Sequence, residues 1–353
     1  MASRDPVADL QRIAFLLEAA NEATYRVRAF RSAAATLTKL PAEEIASRAA
    51  AGTLTKLAGV GNVTARCVEE SLSGEEPVYL RRLLATEGSD VDEATTALRT
   101  ALRGDCHTHS EWSDGSAPIE EMAMAALGLG HQYLVLTDHS PRLTVANGLT
   151  ASRLREQLDV VAAINETFAA TGTAFRILTG IEVDILADGS LDQKDDLLAE
   201  LDVVVGSVHS NLADEPDVMT RRMLAAVGNP HLDILGHCTG RRLATSGGDK
   251  GHRGRPRAES RFDAAAVFAA CVEYDKAVEI NCRPDRLDPP KRLLRLAVEA
   301  GCRFSIDTDA HAPGQLDWQR AGCARAVACG VVPERVVNTW SADDLVAWAA
   351  THG

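Results

Sequence analysis

From residue 104 onward the chain alternates short apolar runs with helical patterns, and this alternation restricts the fold more than any other feature. The apolar runs are rich in β-branched residues and occupy residues 104–109, 133–138, 175–183, 202–209, 232–237, 277–282 and 303–309. Helical patterns fill the intervals at 118–128, 151–170, 191–199, 215–226, 261–273, 289–300 and 333–351. Strands alternating with helices predict a parallel α/β sheet, and seven such units in about 250 residues predict a closed barrel.

The residues before 104 follow a different pattern, that of a small all-helical domain. Apolar residues recur at helical spacing in two stretches before Pro41. Shorter helical patterns follow near 42–51, 62–73, 76–84 and 93–102. The sequence therefore predicts three parts, which are an all-α domain at 1–85, a linker with a helix at 86–103, and an α/β barrel at 104–353.

The charge of the chain is strongly acidic but unevenly spread. Among 353 residues, 37 Lys and Arg against 50 Asp and Glu give a formal net charge of −13. Residues 1–66 carry a net +3, whereas residues 104–353 carry a net −12. This balance excludes a protein that coats nucleic acid by bulk charge, although it leaves a local contact open.

The sequence favours a cytoplasmic protein without a membrane partner. No apolar run approaches the roughly 20 residues that a membrane-spanning helix needs. The N-terminal residues have the pattern of a charged amphipathic helix rather than that of a signal peptide. The eight cysteines form no CxxC pair, which is typical of reduced, mostly buried thiols.

Six of the ten histidines lie at or just after the carboxyl end of a predicted strand, most of them beside a carboxylate. In an α/β barrel these strand ends meet on one face, where the active site lies. His107 and His109 are two residues apart on a strand, so their side chains point the same way and can bind one ion together. Imidazole mixed with carboxylate suits Zn²⁺, Mn²⁺ or Fe²⁺ better than Mg²⁺ or Ca²⁺. The sequence therefore predicts a metal site.

Seven motifs in residues 104–353 resemble those of the polymerase and histidinol phosphatase (PHP) domain family. In order they are DCHTHSEWSDG, LTDHS, GIEVDI, GSVHS, LGHCTGR, EINCRPDRLD and DTDAH. The resemblance implies a distorted (β/α)7 barrel and a metal-dependent phosphoesterase. It also implies nine metal ligands, namely His107, His109, Asp114, His139, Glu182, His209, His237, Asp309 and His311.

The same resemblance implies three divalent ions, Mn²⁺ or Zn²⁺ with Fe²⁺ as a third option. The first ion would be held by His107, His109, Glu182 and Asp309. Glu182 would also bind the second ion, together with His209 and His237. The third ion would be held by Asp114, His139 and His311.

Three charged neighbours of these motifs are predicted catalytic residues. Asp105 and Asp138 would either orient the ligand imidazoles or protonate a leaving group. Arg286 would clamp a phosphate or pair with Asp288. The insertion at 241–261 carries seven basic residues and would either guide a polyanionic substrate or be a solvated loop.

The helical part contains a second recognisable pattern. Residues 57–65, LAGVGNVTA, fit a helix-hairpin-helix turn. A GxG turn, however, is often only the connection between two helices. The stretch YRVRAFRSAA at 25–34 resembles the N-terminal 8-kDa domain of family X DNA polymerases, which holds DNA ends. The resemblance implies DNA contacts by Gly59, Val60, Gly61, Arg26, Arg28 and Arg31, although the arginines also fit a solvated basic helix face.

Together these patterns predict a phosphoesterase that processes DNA ends, of the 3′–5′ exonuclease type. The alternatives are a small-molecule phosphomonoesterase such as a histidinol phosphatase, and a non-catalytic DNA-binding protein. Polymerase activity is not expected, because Gly88-Ser89 directly adjoins Asp90-Val91-Asp92 and leaves no room for a nucleotide site. The sequence leaves the oligomeric state open.

Overall fold

The structure is a computed structural model, and it describes residues 4–85, 92–244 and 256–352. Residues 4–85 form a compact helical unit, and the other described residues form a second compact unit. In the helical unit Asp5 caps the first helix by accepting a hydrogen bond from the Val7 amide at 2.8 Å. The five α-helices here are α1 (Pro6–Ala19), α2 (Thr24–Leu37), α3 (Ala42–Ala50), α4 (Asn62–Leu72) and α5 (Val78–Leu84). Their apolar faces share one core, in which Leu10, Ile13 and Leu37 are fully buried.

The second unit is built on seven parallel strands, each hydrogen-bonded to the next in chain order. The strands are β1 (Gly104–Thr108), β2 (Tyr133–Leu136), β3 (Arg176–Asp184), β4 (Val203–Ser207), β5 (Ile234–Leu235), β6 (Ala277–Asn281) and β7 (Arg303–Asp307). Every residue of β1, β4 and β6 is buried. Burial on both faces explains why the strands are nearly continuous apolar runs in the sequence.

Helices cover the outside of this sheet, and α6 precedes the first strand. The helices are α6 (Glu93–Ala101), α7 (Ile119–Gly128), α8 (Ala151–Ala170), α9 (Asp195–Leu198), α10 (Pro216–Val227), α11 (Ala264–Glu273), α12 (Lys291–Ala300), α13 (Gln319–Ala328) and α14 (Ala342–Ala349). Leu98 of α6 is buried in the core of the barrel unit, so this helix belongs to that unit. None of the helices in the described ranges is long and apolar enough to cross a membrane.

Side chains complete the sheet between β7 and β1, where the backbone provides a bridge between Thr108 and Ala310. Asp307 accepts a hydrogen bond at 2.8 Å from the Cys106 amide in β1. Asp105 accepts from the hydroxyl of Thr308 at 2.6 Å. These bonds cross the seam in both directions and make the barrel nearly closed.

Asn338 supports the same seam from a segment that follows α13. Its amide oxygen accepts from the Ile306 amide at 2.7 Å, and its amide nitrogen donates to Asp307 at 2.8 Å. Asn338 is fully buried, so these bonds have no competition from water.

The predicted fold class, an α/β barrel preceded by a helical unit, is confirmed. All seven predicted strands are present, whereas the prediction of one helix over 333–351 is wrong. That segment forms short 3₁₀ turns at Pro333–Arg335 and Val337–Thr339 before α14, because Val336 pairs with Phe304 and Asn338 bonds to β7. Helix α13 was not predicted, since its Ala, Gly and Cys residues give little apolar periodicity.

Other details of the sequence-based organisation differ or stay predictions. The helix expected at 191–199 is reduced to α9, because Leu191 pairs with Ile185. The boundaries 1–85, 86–103 and 104–353 stay a prediction, and residues 86–91 of the predicted linker lie outside the described residues. The polymerase argument uses Gly88 to Asp92, of which only Asp92 is described, and it also stays a prediction.

Replacing Asn338 by alanine should destabilise the barrel unit, because the Ile306 amide and Asp307 then lose buried partners. We expect Asn338→Ala to lower the free energy of unfolding by about 2 to 4 kcal/mol. Urea unfolding followed by tryptophan fluorescence is suitable, since all four tryptophans (112, 318, 340 and 348) lie in the barrel unit. Gln132→Ala, an exposed site, is the control, and a loss no larger than that of the control would contradict the assignment.

Candidate metal centre

The carboxylate of Glu182, near the carboxyl end of β3, is buried among imidazoles. Its Oε1 atom lies 2.9 Å from Nε2 of His237 and 3.4 Å from Nε2 of His209. Its Oε2 atom lies 2.7 Å from Nδ1 of His139, 3.4 Å from Nε2 of His107 and 3.7 Å from Nε2 of His109. Burial alone would raise the pKa of Glu182, but the surrounding histidines hold it well below its usual range. Five imidazoles from four strand ends therefore face one carboxylate.

The facing atoms of this cluster have no hydrogen-bond partners in the part of the chain that the structure describes. Both carboxylate oxygens of Glu182 are buried and unpartnered, and so are ring nitrogens of His107, His109, His139, His209 and His237. Buried polar atoms are normally paired, so a set of orphans that are all good metal ligands indicates bound cations. The residues present therefore fit the predicted metal site.

Among the described residues, three groups of side chains bring their ligand atoms within 4.8 Å of one another. The groups are His107 with His109 and Glu182, then His139 with Glu182 and His209, and finally His109 with Asp114, His139 and His311. The last group contains all three predicted ligands of the third ion. His139 also joins the group of Glu182 and His209, in which His237 had been expected.

The two remaining predicted ligands lie beside these groups. His237 contacts Glu182 as described above, and Asp309 places Oδ1 3.4 Å from Nε2 of His109. Asp309 has φ of +52°, a left-handed conformation that is costly outside glycine and is frequent at functional sites. All nine predicted ligands are thus brought to one face of the barrel, and their role as ligands stays a prediction.

Glu279 of β6, which the sequence reasoning missed, orients two of these histidines. Its Oε1 atom lies 2.6 Å from Nδ1 of His107, and its Oε2 atom accepts the backbone amide of His237. Glu182 and Glu279 raise the pKa of His107 well above its ordinary value, although burial opposes this. The available signal was a lone acid between the apolar Val278 and Ile280 in a strand whose residues are all buried.

Asp105 and Asp138, the predicted catalytic acids, bond mainly to backbone and hydroxyl groups. Asp105 contacts Thr308 across the seam and also accepts the His107 amide at 3.1 Å. Asp138 accepts from the hydroxyl of Ser110 at 2.6 Å and from Gln157 at 2.6 Å. These carboxylates position the chain that carries the ligands, and a direct part in the reaction stays a prediction.

Arg286 is buried beside Asp309, with its Nε atom 3.1 Å from Oδ2 of that carboxylate. Nε and Nη1 of Arg286 make no hydrogen bond. Asp288, the alternative partner, accepts instead from the hydroxyl of Thr239 at 2.6 Å. Arg286 thus pairs with Asp309 rather than with Asp288, and its role as a phosphate clamp stays a prediction. Arg283, a further residue that the sequence reasoning missed, places Nη1 3.4 Å from Oδ1 of Asp309.

Cys238, which follows a predicted ligand, is a packing residue in the structure. Its side chain is buried, and burial raises the pKa of its thiol well above the ordinary value. All eight cysteines are buried and unpaired, as the sequence predicted.

The predicted helix-hairpin-helix turn lies before α4 in the helical unit. Gly59 has φ of +78°, and a Cβ there would clash with the hydroxyl of Ser32, so both the backbone conformation and the available space favour glycine. The Val60 amide donates to Leu57, and the Gly61 amide donates to Thr64, both within the turn. The amides that have no intrahelical acceptor are therefore those at the start of α4, from residue 62 to residue 64.

The three predicted DNA-contacting arginines differ in their surroundings. Arg31 donates to Glu18 at 2.6 Å, and Arg26 pairs with Glu22 at 3.1 Å. Arg28 is exposed, and its side chain forms no ion pair within residues 4–85. It lies one helical turn before Ser32, which contacts the hairpin. Of the three predicted arginines, Arg28 is therefore the one whose side chain is best placed to contact a phosphate beside the turn.

A parallel barrel with a cluster of imidazoles and carboxylates at its strand ends defines a metal-binding hydrolase site. The family model for the PHP domain matches residues 105–283, and the chain belongs to this family. The model for a helix-hairpin-helix domain matches residues 1–76. The predicted family and the predicted enzyme class, a PHP-type phosphoesterase, are confirmed.

Relatives of the chain include both DNA-processing and phosphatase proteins. The DNA polymerase/3′-5′ exonuclease PolX of Bacillus subtilis is 40% identical over 70% of this chain, which spans only 41% of that protein. A probable phosphatase of Thermoanaerobacter sp. is 27% identical over 67% of this chain and 89% of its own length. The crystal structure of histidinol phosphate phosphatase from Lactococcus lactis, complexed with zinc, L-histidinol and phosphate, is 19% identical with a TM-score of 0.45. It covers 65% of this chain and 94% of its own.

Removing the charge of Glu279 should weaken metal binding without unfolding the barrel. We expect Glu279→Gln to lower the affinity for Zn²⁺ or Mn²⁺ by about 10- to 100-fold, because His107 loses its anionic partner. Competition with a chromogenic chelator measures this affinity directly. Glu273→Gln on the exposed face of α11 is the control, and equal affinities in the two variants would refute the positioning role.

Proposed function

We propose that the chain is a metal-dependent phosphodiesterase that removes nucleotides from the 3′ ends of DNA and has no polymerase activity. The observation that carries the proposal is the unpartnered carboxylate of Glu182 among five imidazoles, in a chain that also contains a helix-hairpin-helix unit. The proposal includes three ions held by the nine predicted ligands. Such ions lower the pKa of bound water and supply a nucleophile at neutral pH.

The residues of the chain would bind the substrate and hold the ligands in place. Nη1 of Arg286 makes no hydrogen bond with the described residues and can donate to the phosphoryl oxygens of a substrate bound beside Asp309, which Nε of the same guanidinium faces. Glu279 keeps the His107 ring oriented, and Asp138 holds the loop at Ser110. Both groups are buried, so the geometry is set before substrate arrives.

The helical unit supports DNA as the substrate rather than a small ester. The free amides at the start of α4 can bind a backbone phosphate without reading the bases. Arg28 adds a positive charge on the helix that packs against this turn. The PolX relative, whose name includes a 3′-5′ exonuclease, is consistent with this role.

A phosphomonoesterase acting on a small substrate such as histidinol phosphate is the second candidate. It is favoured by the probable phosphatases, which this chain matches over most of their length. The two candidates share the metal centre and differ in the substrate that the surrounding residues accept.

Substitution of the predicted metal ligand His109 tests whether the metal centre hydrolyses the substrate. The choice of oligonucleotides tests whether DNA is that substrate. With Mn²⁺ or Zn²⁺ present, we expect the protein to shorten single-stranded and nicked oligonucleotides from the 3′ end. His109→Ala should lower this rate by about 10²- to 10³-fold or more. His231→Ala, which precedes β5 at the opposite end of the barrel strands, should leave it unchanged.

Two outcomes would overturn these assignments. Release of phosphate from histidinol phosphate without cleavage of DNA would replace the first candidate with the second. Full activity of His109→Ala would refute the metal centre as the site of hydrolysis.

Reversal of the charge of Arg28 tests the role of the helical unit. Arg28→Glu should raise the KM for an oligonucleotide by about tenfold, because a favourable phosphate contact becomes a repulsive one. Hydrolysis of thymidine 5′-p-nitrophenyl phosphate, which is too small to need this unit, should not change. Arg82→Glu on α5 is the control, and equal effects of Arg28→Glu on both substrates would argue against DNA binding here.

A further inference from the structure

Four arginines lie together beside the candidate metal centre, and two carboxylates connect three of them. Asp309 contacts both Arg286 at 3.1 Å and Arg283 at 3.4 Å. Asp285 in turn lies 3.1 Å from Nε of Arg283 and 4.0 Å from Nε of Arg242. Backbone hydrogen bonds of 3.0 Å in both directions join Arg242 to the fourth member, Arg257. We call Arg242, Arg257, Arg283 and Arg286 the arginine cluster.

The positive charge of the cluster is only partly matched by the acids beside it. Asp285 and Asp309 form ion pairs with Arg242, Arg283 and Arg286, and Asp288 attracts Arg257. Asp309 is also a predicted metal ligand, so its charge is shared. Burial, followed by repulsion from neighbouring arginines, lowers the pKa values of Arg242 and Arg257. A bound anion would relieve this repulsion.

Within the described residues, Nη1 of Arg286 is a buried donor that makes no hydrogen bond, which is unusual. Nε of Arg242 and Nε of Arg286 also make none there, although each faces a carboxylate in the ion pairs given above. Other donors are engaged, because Nε of Arg257 donates to the Gly240 carbonyl at 2.7 Å and Arg283 donates to both Asp285 and Asp309. Arg242 and Arg286 are thus the members with donors left for a ligand, and guanidinium groups bind phosphate oxygens well.

We propose that the arginine cluster binds the phosphate next to the one being hydrolysed. The enzyme would then prefer substrates with two consecutive phosphodiesters over those with one. Arg286 and Arg283 lie beside the predicted ligand Asp309, while Arg242 and Arg257 lie farther out along the chain of contacts. This inference rests on the proposed phosphodiesterase function and names the part of the substrate that the site recognises beyond the scissile bond.

Two short substrates test the cluster without involving a long strand of DNA. The dinucleoside TpT has one phosphate, and the trinucleoside TpTpT has a second one on the 5′ side of the 3′-terminal bond. In the unaltered protein the kcat/KM for release of the 3′ nucleotide should be at least about tenfold higher for TpTpT, the usual effect of one charge-assisted contact.

Substitutions at the outer arginines should remove this preference. Arg242→Gln and Arg257→Gln should each lower the ratio of the two kcat/KM values severalfold, and the double variant should bring it close to one. The loss should appear in the KM for TpTpT, with kcat nearly unchanged. Both substrates are measured on one preparation, so an inactive, misfolded fraction would lower both kcat/KM values equally and leave their ratio unchanged. Arg295→Gln, on the exposed face of α12, is the control and should keep the original ratio.

The outcomes separate this inference from the proposed function. A ratio near one in the unaltered protein, or a ratio that the double variant leaves unchanged, would overturn the role of the cluster alone. Hydrolysis of histidinol phosphate with no hydrolysis of either nucleotide substrate would overturn the phosphodiesterase function and this inference together.

Discussion

A buried carboxylate surrounded by imidazoles is the interaction on which the rest of the barrel unit depends. Glu182 is removed from water, and its oxygens have no donor of their own. Such an arrangement is unfavourable unless cations compensate the charge. The strands deliver the required side chains only if all of their carboxyl ends are held in one plane. The nearly closed sheet holds the strand ends together, and the oriented histidines and flanking arginines supply the positive or metal-binding groups around the carboxylate.

The buried acids around the site make different kinds of contact, and these contacts are not evident from the sequence. Glu279 contacts a ligand ring and a ligand backbone, so one side chain fixes two ligands. Asp105 and Asp307 connect the first and last strands, and Asp138 holds a loop. Part of the negative charge of the barrel therefore lies on buried carboxylates that are hydrogen-bonded inside the protein. These carboxylates are not on the surface that a phosphate would approach.

The sequence was informative where a residue acts through its local pattern. Strand runs predicted the barrel, and the His-x-His spacing and strand-end histidines predicted a metal site, because period-two side chains and convergent strand ends follow from backbone geometry. The set of nine ligands was implied by the resemblance to the PHP family. The sequence was uninformative where a residue acts through a distant partner. Asn338 and Glu279 bond to residues far away in the sequence. The role of Arg283 depends on its ion pairs with Asp309 and Asp285. Helix α13 has too little apolar contrast to be recognised, although its position against β7 is clear in three dimensions.

The seam of the barrel also has a consequence for synthesis of the protein on the ribosome. β1 is made before the other six strands of the barrel, yet it lies beside β7 at the seam, and the side chain that supports their junction belongs to Asn338. Until that residue emerges, a nascent chain has an incomplete junction beside β1, and unpaired strand edges favour aggregation. Closure of this barrel therefore follows the synthesis of all seven strands and of all nine predicted metal ligands.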